Sequence, residues 1–521
     1  MLARRRWIQL LYLFVFVALA ALALQRNVRC AGQNASRYTD RNPEQTRVRS
    51  AGVAGSFYPA DPAALTAMMD SMLVKVPAAN LDGPILAVIA PHAGYEYSGP
   101  VAAYTYAALK GRSYSRVVVI APSHYEAFDF TSVYDGDAYR TPLGDVPVDK
   151  SFAKELTRAD ASIQLSSRGH TPTAAGAEHA LEDQLPWLQH VLGSFTLVPI
   201  VMGNQSYENS RALGVALAKM IKSGDTLIVA SSDLSHYHPY DEAVRIDHKT
   251  LNAIQVWDYY SMSRNFETRV WEACGGAPIV AAMIAAERMG ANQAKLLKYA
   301  NSGDLTGDKS RVVGYSAWAL VKATKAQAPG QPIKVSPFTL SQQDKRELLN
   351  VARLSVEQAV RERRIYEPAA SNSEALGQER GAFVTLTIHD ELRGCIGYTS
   401  AIKPLFEAVR DTATYAALRD PRFAPVSADE LPTLQYEVSV LSPLRRVLDP
   451  REIVVGQHGL IMKNGDNEGL LLPQVPVEQH WDRDTFLEQT CRKAGMDRNC
   501  WKNENTDIFE FTAVVFNDPK K

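Results

Sequence analysis

Along residues 51–325, short β-branched apolar runs alternate with longer amphipathic stretches. The runs at 85–90, 116–121, 195–202 and 226–230 have the length and composition of strands, and the stretches at 101–109 and 211–221 read as helices between them. Alternation of this kind predicts an α/β fold with a largely parallel central sheet flanked by helices, over residues 48–325. A stretch at 326–338 containing Ala-Pro-Gly-Gln-Pro and a further Pro predicts a linker. Beyond it the pattern changes. Residues 341–364 are helical, with Ser341 as N-cap ahead of an apolar stripe at Leu348, Leu349, Ala352 and Leu354. Strand-like runs then dominate, at 383–388, 435–441 and 509–516, and predict a separate α+β domain over 339–518.

Composition narrows the classes. At 521 residues the chain exceeds one ordinary core of ~100–200 residues, and 46% hydrophobic residues are too many for a disordered chain. The 56 Lys+Arg against 57 Asp+Glu leave no general basic field, which argues against nucleic acid as a partner. Arg4, Arg5 and Arg6 precede an apolar run at 7–24 broken only by Gln9, close to the ~20 residues that cross a bilayer. Residues 1–30 therefore read as a signal peptide, with Ala21 and Ala23 offering a cleavage site, or as a retained membrane anchor, and 31–47 as a polar tether. On that reading the rest of the chain is exported, to a periplasmic or extracytoplasmic face. Five cysteines, Cys30, Cys274, Cys395, Cys491 and Cys500, are too sparse for a disulfide scaffold. Cys491 and Cys500 are near enough to bond locally, although two independently buried thiols is the simpler expectation.

Three strand-like runs end in a histidine: Leu-Ala-Val-Ile-Ala-Pro-His at His92, Val-Val-Val-Ile-Ala-Pro-Ser-His at His124, and Leu-Ile-Val-Ala-Ser-Ser-Asp-Leu-Ser-His at His236. Ligands of open α/β sheets bind beyond the carboxyl ends of the strands, so the three imidazoles are expected in one crevice. Neutral imidazole suits Fe, Cu and Zn, and needs an acceptor behind it to fix the tautomer. The run Ala-Glu-His-Ala-Leu-Glu-Asp supplies Glu178, His179, Glu182 and Asp183, as further site groups or as a solvated helix start. Asp233 either orients a histidine or caps the turn.

These residues resemble a family. Ala-Gly-Ser-Phe-Tyr-Pro at 54–59, Ala-Pro-His-Ala-Gly-Tyr at 90–95, Pro-Ser-His at 122–124, Glu-His-Ala-Leu-Glu at 178–182, Ser-Ser-Asp-Leu-Ser-His at 231–236 and Ala-Cys-Gly at 273–275 are similar to motifs of the MEMO family. The resemblance implies a fold like that of the class III extradiol dioxygenases, non-haem iron enzymes that open catechol rings. It also implies His92, His124 and Cys274 as metal ligands, and His236 as the pocket base or as a group supporting the ligands from behind. Fe(II) or Cu is the expected metal, ahead of Zn, and no nucleotide cofactor is expected. Cys274 departs from the two-histidine, one-carboxylate set of a ring-cleaving site. The expected function is thus a metal-binding redox protein, an oxidoreductase related to dioxygenases. The alternative is a binding module for a phosphorylated or carboxylated peptide.

Ile-His-Asp-Glu-Leu-Arg-Gly-Cys-Ile-Gly-Tyr at 388–398 resembles the signature of the AMMECR1 family, and the likeness continues through 420–423, 437–441, 458–460 and 471–474. Residues 383–389 and 393–398 read as hairpin strands. Cys395 beside Arg393 is either a nucleophile with a depressed pKa or, the simpler reading, a buried thiol next to a structural arginine. The resemblance implies no settled chemistry for this domain. Proteins similar to the two halves accompany a radical-SAM enzyme, which makes such an enzyme the expected partner; a small-molecule or peptide ligand is expected as well.

Overall fold

A computed structural model describes residues 46–222, 224–324, 338–368 and 373–518. The main sheet of the first module has nine strands: β1 Ile85–Ala90, β2 Arg116–Pro122, β3 Thr131–Tyr134, β4 Ile163–Ser166, β5 Thr196–Met202, β6 Thr226–Ser231, β7 His236–His238, β8 Gln293–Asn301 and β9 Val312–Val321. They lie in the order β7-β9-β1-β6-β2-β5-β3-β4, with β8 also paired to β9. The centre is parallel, β1 to β6, β6 to β2 and β2 to β5, whereas β9 pairs antiparallel with β1, and β3 antiparallel with β5. Every residue of β1 and β6 is buried, which is why these strands are written as unbroken apolar runs rather than as an alternation.

Helices cover both faces. Those that matter for the site are α1 Gly99–Ala107, α2 Gln184–Leu192, α3 Tyr207–Met220, α4 Tyr240–Val256, α5 Tyr259–Glu267 and α6 Gly276–Arg288. α3 starts at Tyr207, four residues ahead of the stretch that predicted the helix, behind the N-cap Ser206, whose side chain accepts from the Asn209 amide.

The second module follows α7 Gln342–Glu362, which Ser341 and Asp344 cap reciprocally, as the Ser341 N-cap predicted. It has eight strands and two four-stranded sheets. The strands are β10 Ala382–Ile388, β11 Glu391–Tyr398, β12 Gln435–Leu441, β13 Arg445–Arg446, β14 Gly459–Asn464, β15 Asn467–Leu471, β16 Asp507–Phe511 and β17 Ala513–Asn517. One sheet runs β11-β10-β12-β17 and the other β13-β16-β14-β15. α7 and α8 Leu405–Leu418 pack on the first of these sheets.

Three expectations change here. The run at 509–516 is not one strand: the chain leaves one sheet at Phe511 and enters the other at Ala513. Thr512, between them, exchanges hydrogen bonds with Ser442, its amide donating to the hydroxyl and its carbonyl accepting from the Ser442 amide. Cys491 and Cys500 are not independent thiols but a disulfide, tying the helix Arg483–Lys493 to the turn at 500–502. The exported location is also corrected. Among the described residues no helix is long and apolar enough to cross a membrane. The 1–30 segment and Cys30 lie outside the described residues, as do most of the 31–47 tether and the 326–338 linker.

Candidate metal centre

Strands β1, β6 and β2 are neighbours and parallel, so the residues that follow them meet at one edge of the sheet. His92 stands two residues past β1, Asp233 two past β6 and His124 two past β2. His179 comes from the segment before α2, and Cys274 from the two residues before α6. Two groups of ligand atoms result, each with its members within 4.8 Å of one another: His92, His124 and His179, and His92, Asp233 and Cys274. His92 belongs to both.

The buried hydrogen bonds fix how His92 is presented. Its Nδ1 lies 2.8 Å from the Ser231 Oγ. That hydroxyl donates to the Ala180 carbonyl at 2.5 Å and accepts from the Gln184 Nε2 at 2.8 Å. With its one proton committed, Ser231 can only accept from His92, so Nδ1 carries the hydrogen and Nε2 the lone pair. Nε2 lies 3.0 Å from the Cys274 Sγ. Asp233 accepts the His92 backbone N–H at 2.8 Å, and its own amide donates to the Cys274 Sγ at 3.2 Å. Burial pushes the His92 pKa well below its usual value, with the nearby His124 adding to the effect. Burial, then the Asp233 carboxylate, pushes the Cys274 thiol well up.

His124 is presented by a carboxylate instead. Glu178 accepts the His124 Nδ1–H at 2.9 Å and the His124 backbone N–H at 2.5 Å, and also takes the amides of His179 and Ala180 at 3.0 Å each. Although burial opposes ionisation, these donors, His124 first, hold the Glu178 carboxyl down at about 2. Burial works against a proton on His124, yet the Glu178 carboxylate outweighs it and raises the pKa. The His124 Nε2 is therefore a position that favours a cation. Its ring stacks on His179 at 4.8 Å, and His179 stands edge-on to His92 at 5.5 Å. The His179 Nδ1 is buried without a hydrogen-bond partner, and burial together with the two neighbouring imidazoles lowers its pKa to about 3. An orphaned imidazole nitrogen beside two imidazoles with free Nε2 lone pairs, a thiol and a carboxylate is a donor set that fits a transition-metal ion.

His236 sits at the rim, half-buried, with its Nδ1 bonded to the Leu234 carbonyl at 2.8 Å, so its Nε2 is free as well. His238, two residues on, is held away by Glu272 at 2.9 Å. Glu182, one turn beyond Glu178, is not a site group: it is fully buried and receives Arg49, Tyr58 and the amides of Gly52 and Val53. It joins the first turns of the module to the segment that carries Glu178 and His179.

The family model described as Memo-like protein matches residues 49–319. The chain belongs to the MEMO family. MEMO1 family proteins of Methanopyrus kandleri and Sulfolobus acidocaldarius are 39% and 36% identical over 281 and 283 residues, about half of this chain and 97% of each of those proteins. The AMMECR1 family model matches residues 349–516. A protein of Thermococcus kodakarensis is 46% identical over 181 residues, which is 33% of this chain and 88% of that protein. A crystal structure of an uncharacterized protein from Pyrococcus horikoshii, 42% identical, covers 33% of this chain and 89% of that chain with a TM-score of 0.32.

In the AMMECR1 domain the two candidate residues are not arranged as an activated pair. Arg393 turns to Glu430, at 2.7 Å, rather than to the thiol. Cys395 accepts from the Thr385 hydroxyl at 3.2 Å, and burial raises its pKa instead of lowering it. Asp420 takes the Cys395 N–H at 2.9 Å and Arg422 reaches its carbonyl at 3.2 Å, which closes off this edge strand. The geometry favours a structural thiol, half-buried in the hairpin.

Proposed function

We propose that this MEMO-family protein is a metal-dependent oxidoreductase whose ion, Fe(II) or Cu, is held by His92, His124 and Cys274, with His179 and Asp233 as adjoining donors. The observation that carries the reading is the tautomer control. Ser231 and Glu178 each claim one imidazole Nδ1–H, which leaves the His92 Nε2 lone pair facing the Cys274 sulfur and the His124 Nε2 lone pair in the group that His92 shares with His179. A bound ion of this kind supplies Lewis acidity and single-electron chemistry. The chain's own residues do the rest. Glu178 and Ser231 orient the ligands, and Asp233 fixes the backbone of His92. His236, with a free Nε2 at the rim, takes a proton from a bound substrate and returns it. The donors are imidazoles, a thiol and carboxylates, a poor cradle for a phosphorylated peptide, so the binding-module reading draws no support from them.

The test is metal analysis of the full chain after loading with Fe(II) or Cu and desalting, beside His92→Ala and Cys274→Ser. The expected result is one ion per chain in the wild type and a loss of most of it in both variants. Full occupancy in both variants would remove those residues from the site and the proposal with them.

A further inference from the structure

A cluster of buried charge outside the pocket lies where the two modules meet. Asp507, 1% exposed at the start of β16, accepts from the Tyr207 hydroxyl at 2.9 Å, from the Arg288 Nη2 at 3.1 Å and from the Arg446 Nε at 3.3 Å, and also pairs with Arg211. Arg446 reaches on to Glu287 at 3.6 Å, and the Tyr259 hydroxyl donates to Glu287 at 2.9 Å. Three of the groups on Asp507 belong to the first module and one to the second. Around this hub Phe509 stacks on Tyr260 at 4.7 Å, the Leu444 amide donates to Asp258, and Leu441, Leu444, Phe509 and Phe511 enter the same apolar core as the α5 and α6 side chains.

Helix α6 runs from the pocket to this hub. Its first residue, Gly276, is two residues past Cys274, and its thirteenth is Arg288, about 18 Å away at the rise of a helix. There is no slack at the pocket end. A Cβ on Gly275 would come within 2.1 Å of the Ser231 carbonyl oxygen, and one on Gly276 within 2.5 Å of the Phe266 ring. All residues from Gly276 to Ala286 are buried.

We propose that the AMMECR1 domain is a positioning element for the metal centre: the Asp507 hub fixes the far end of α6, and α6 holds Cys274 against His92. Asp507 and Arg446 are positioning residues, since neither touches the pocket. The proposal rests on the metal reading above, and the experiment separates the two.

The probe is Co(II), whose thiolate charge-transfer absorption reports the Cys274–metal bond independently of any turnover. It is titrated into the full chain and into Cys274→Ser, Asp507→Asn, Arg446→Gln and Arg446→Lys, with circular dichroism as the measure of fold. The expected result is a band in the wild type that Cys274→Ser abolishes, and a loss of about 5-fold or more in Co(II) affinity with a weakened band in folded Asp507→Asn and Arg446→Gln. Arg446→Lys, which keeps the charge, recovers part of it. If Asp507→Asn does not fold, Arg446→Gln decides. A folded hub variant with the wild-type band and affinity overturns the proposal and leaves the metal reading standing. A wild type without a Cys274-dependent band overturns the metal reading and this inference with it.

Discussion

Ser231→Ala tests the pocket at its least visible point. The Ser231 hydroxyl holds three groups at once: the His92 Nδ1–H, the Gln184 Nε2 and the Ala180 carbonyl. Gln184 keeps a second acceptor, the Pro91 carbonyl at 3.0 Å, so the substitution strands two buried groups rather than three. At about 1–3 kcal/mol for each buried group left without a partner, the loss of stability is about 2–6 kcal/mol. The effect on metal is separate. Without an acceptor at Nδ1, the His92 proton is free to move to Nε2, which removes the lone pair that faces Cys274, and loss of such an outer partner costs about 10–100-fold in affinity. Thermal unfolding of the metal-free chain and a competitive metal titration read the two effects independently. A variant that loses stability but binds metal like the wild type would refute the tautomer argument and leave Ser231 as a purely structural residue.

Acidification should destabilise the metal-free protein in two stages. His179 titrates near 3 when folded against a usual 6.5, so the unfolded chain binds the extra proton and stability falls as pH drops from about 6.5 towards 3; the buried His170, also near 3, acts over the same range, so His179→Ala makes this part of a melting-temperature profile shallower without flattening it. Glu178, held near 2 against a usual 4.5, contributes stability that is complete above about 4.5 and lost as pH falls towards 2, a stage that Glu178→Gln reduces but does not remove, since Asp420 and Glu430 are held near 2 as well. Glu182→Ala leaves Arg49 charged and buried, their side chains being 0% and 1% exposed, and should cost about 3–5 kcal/mol by thermal or urea unfolding. Cys491→Ser opens a loop closed by a bond between residues nine apart, and should cost about 2–3 kcal/mol by urea unfolding under non-reducing conditions.

What the sequence discloses and what it hides follow from distance along the chain. His92, His124 and His236 are legible because each trails a run of strand-forming residues, and a strand end is a place as well as a local pattern. Glu178 and His179 stand out only as a charged run, with no local sign that one claims the His124 Nδ1–H and the other stacks on that ring. Ser231 and Gln184 are invisible as supports, since the first reaches a histidine 139 residues away and the second lies 47 residues from Ser231. The hub hides for the same reason: Asp507 gathers arginines 61, 219 and 296 residues distant. The 509–516 run misleads in the opposite way, because its apolar pattern continues through Thr512 while the backbone changes sheets.

The four described cysteines show how environment divides one chemistry into three roles. Cys274 and Cys395 are both thiols whose pKa burial raises, and neither is an activated nucleophile as it stands. They differ in what faces the sulfur. Cys274 meets an imidazole lone pair and lies beside a carboxylate, so an ion can replace its proton. Cys395 meets a hydroxyl that donates to it, on a strand edge whose amide and carbonyl Asp420 and Arg422 have already taken. Cys491 is spent in a bond to Cys500. Donor chemistry thus concentrates in the first module, while the charged residues of the second that reach furthest into its neighbour, Asp507 and Arg446, do so at the end of the one helix that begins beside Cys274. The second module is thus fastened to that helix by a buried carboxylate with four donors, which suits it to holding a site.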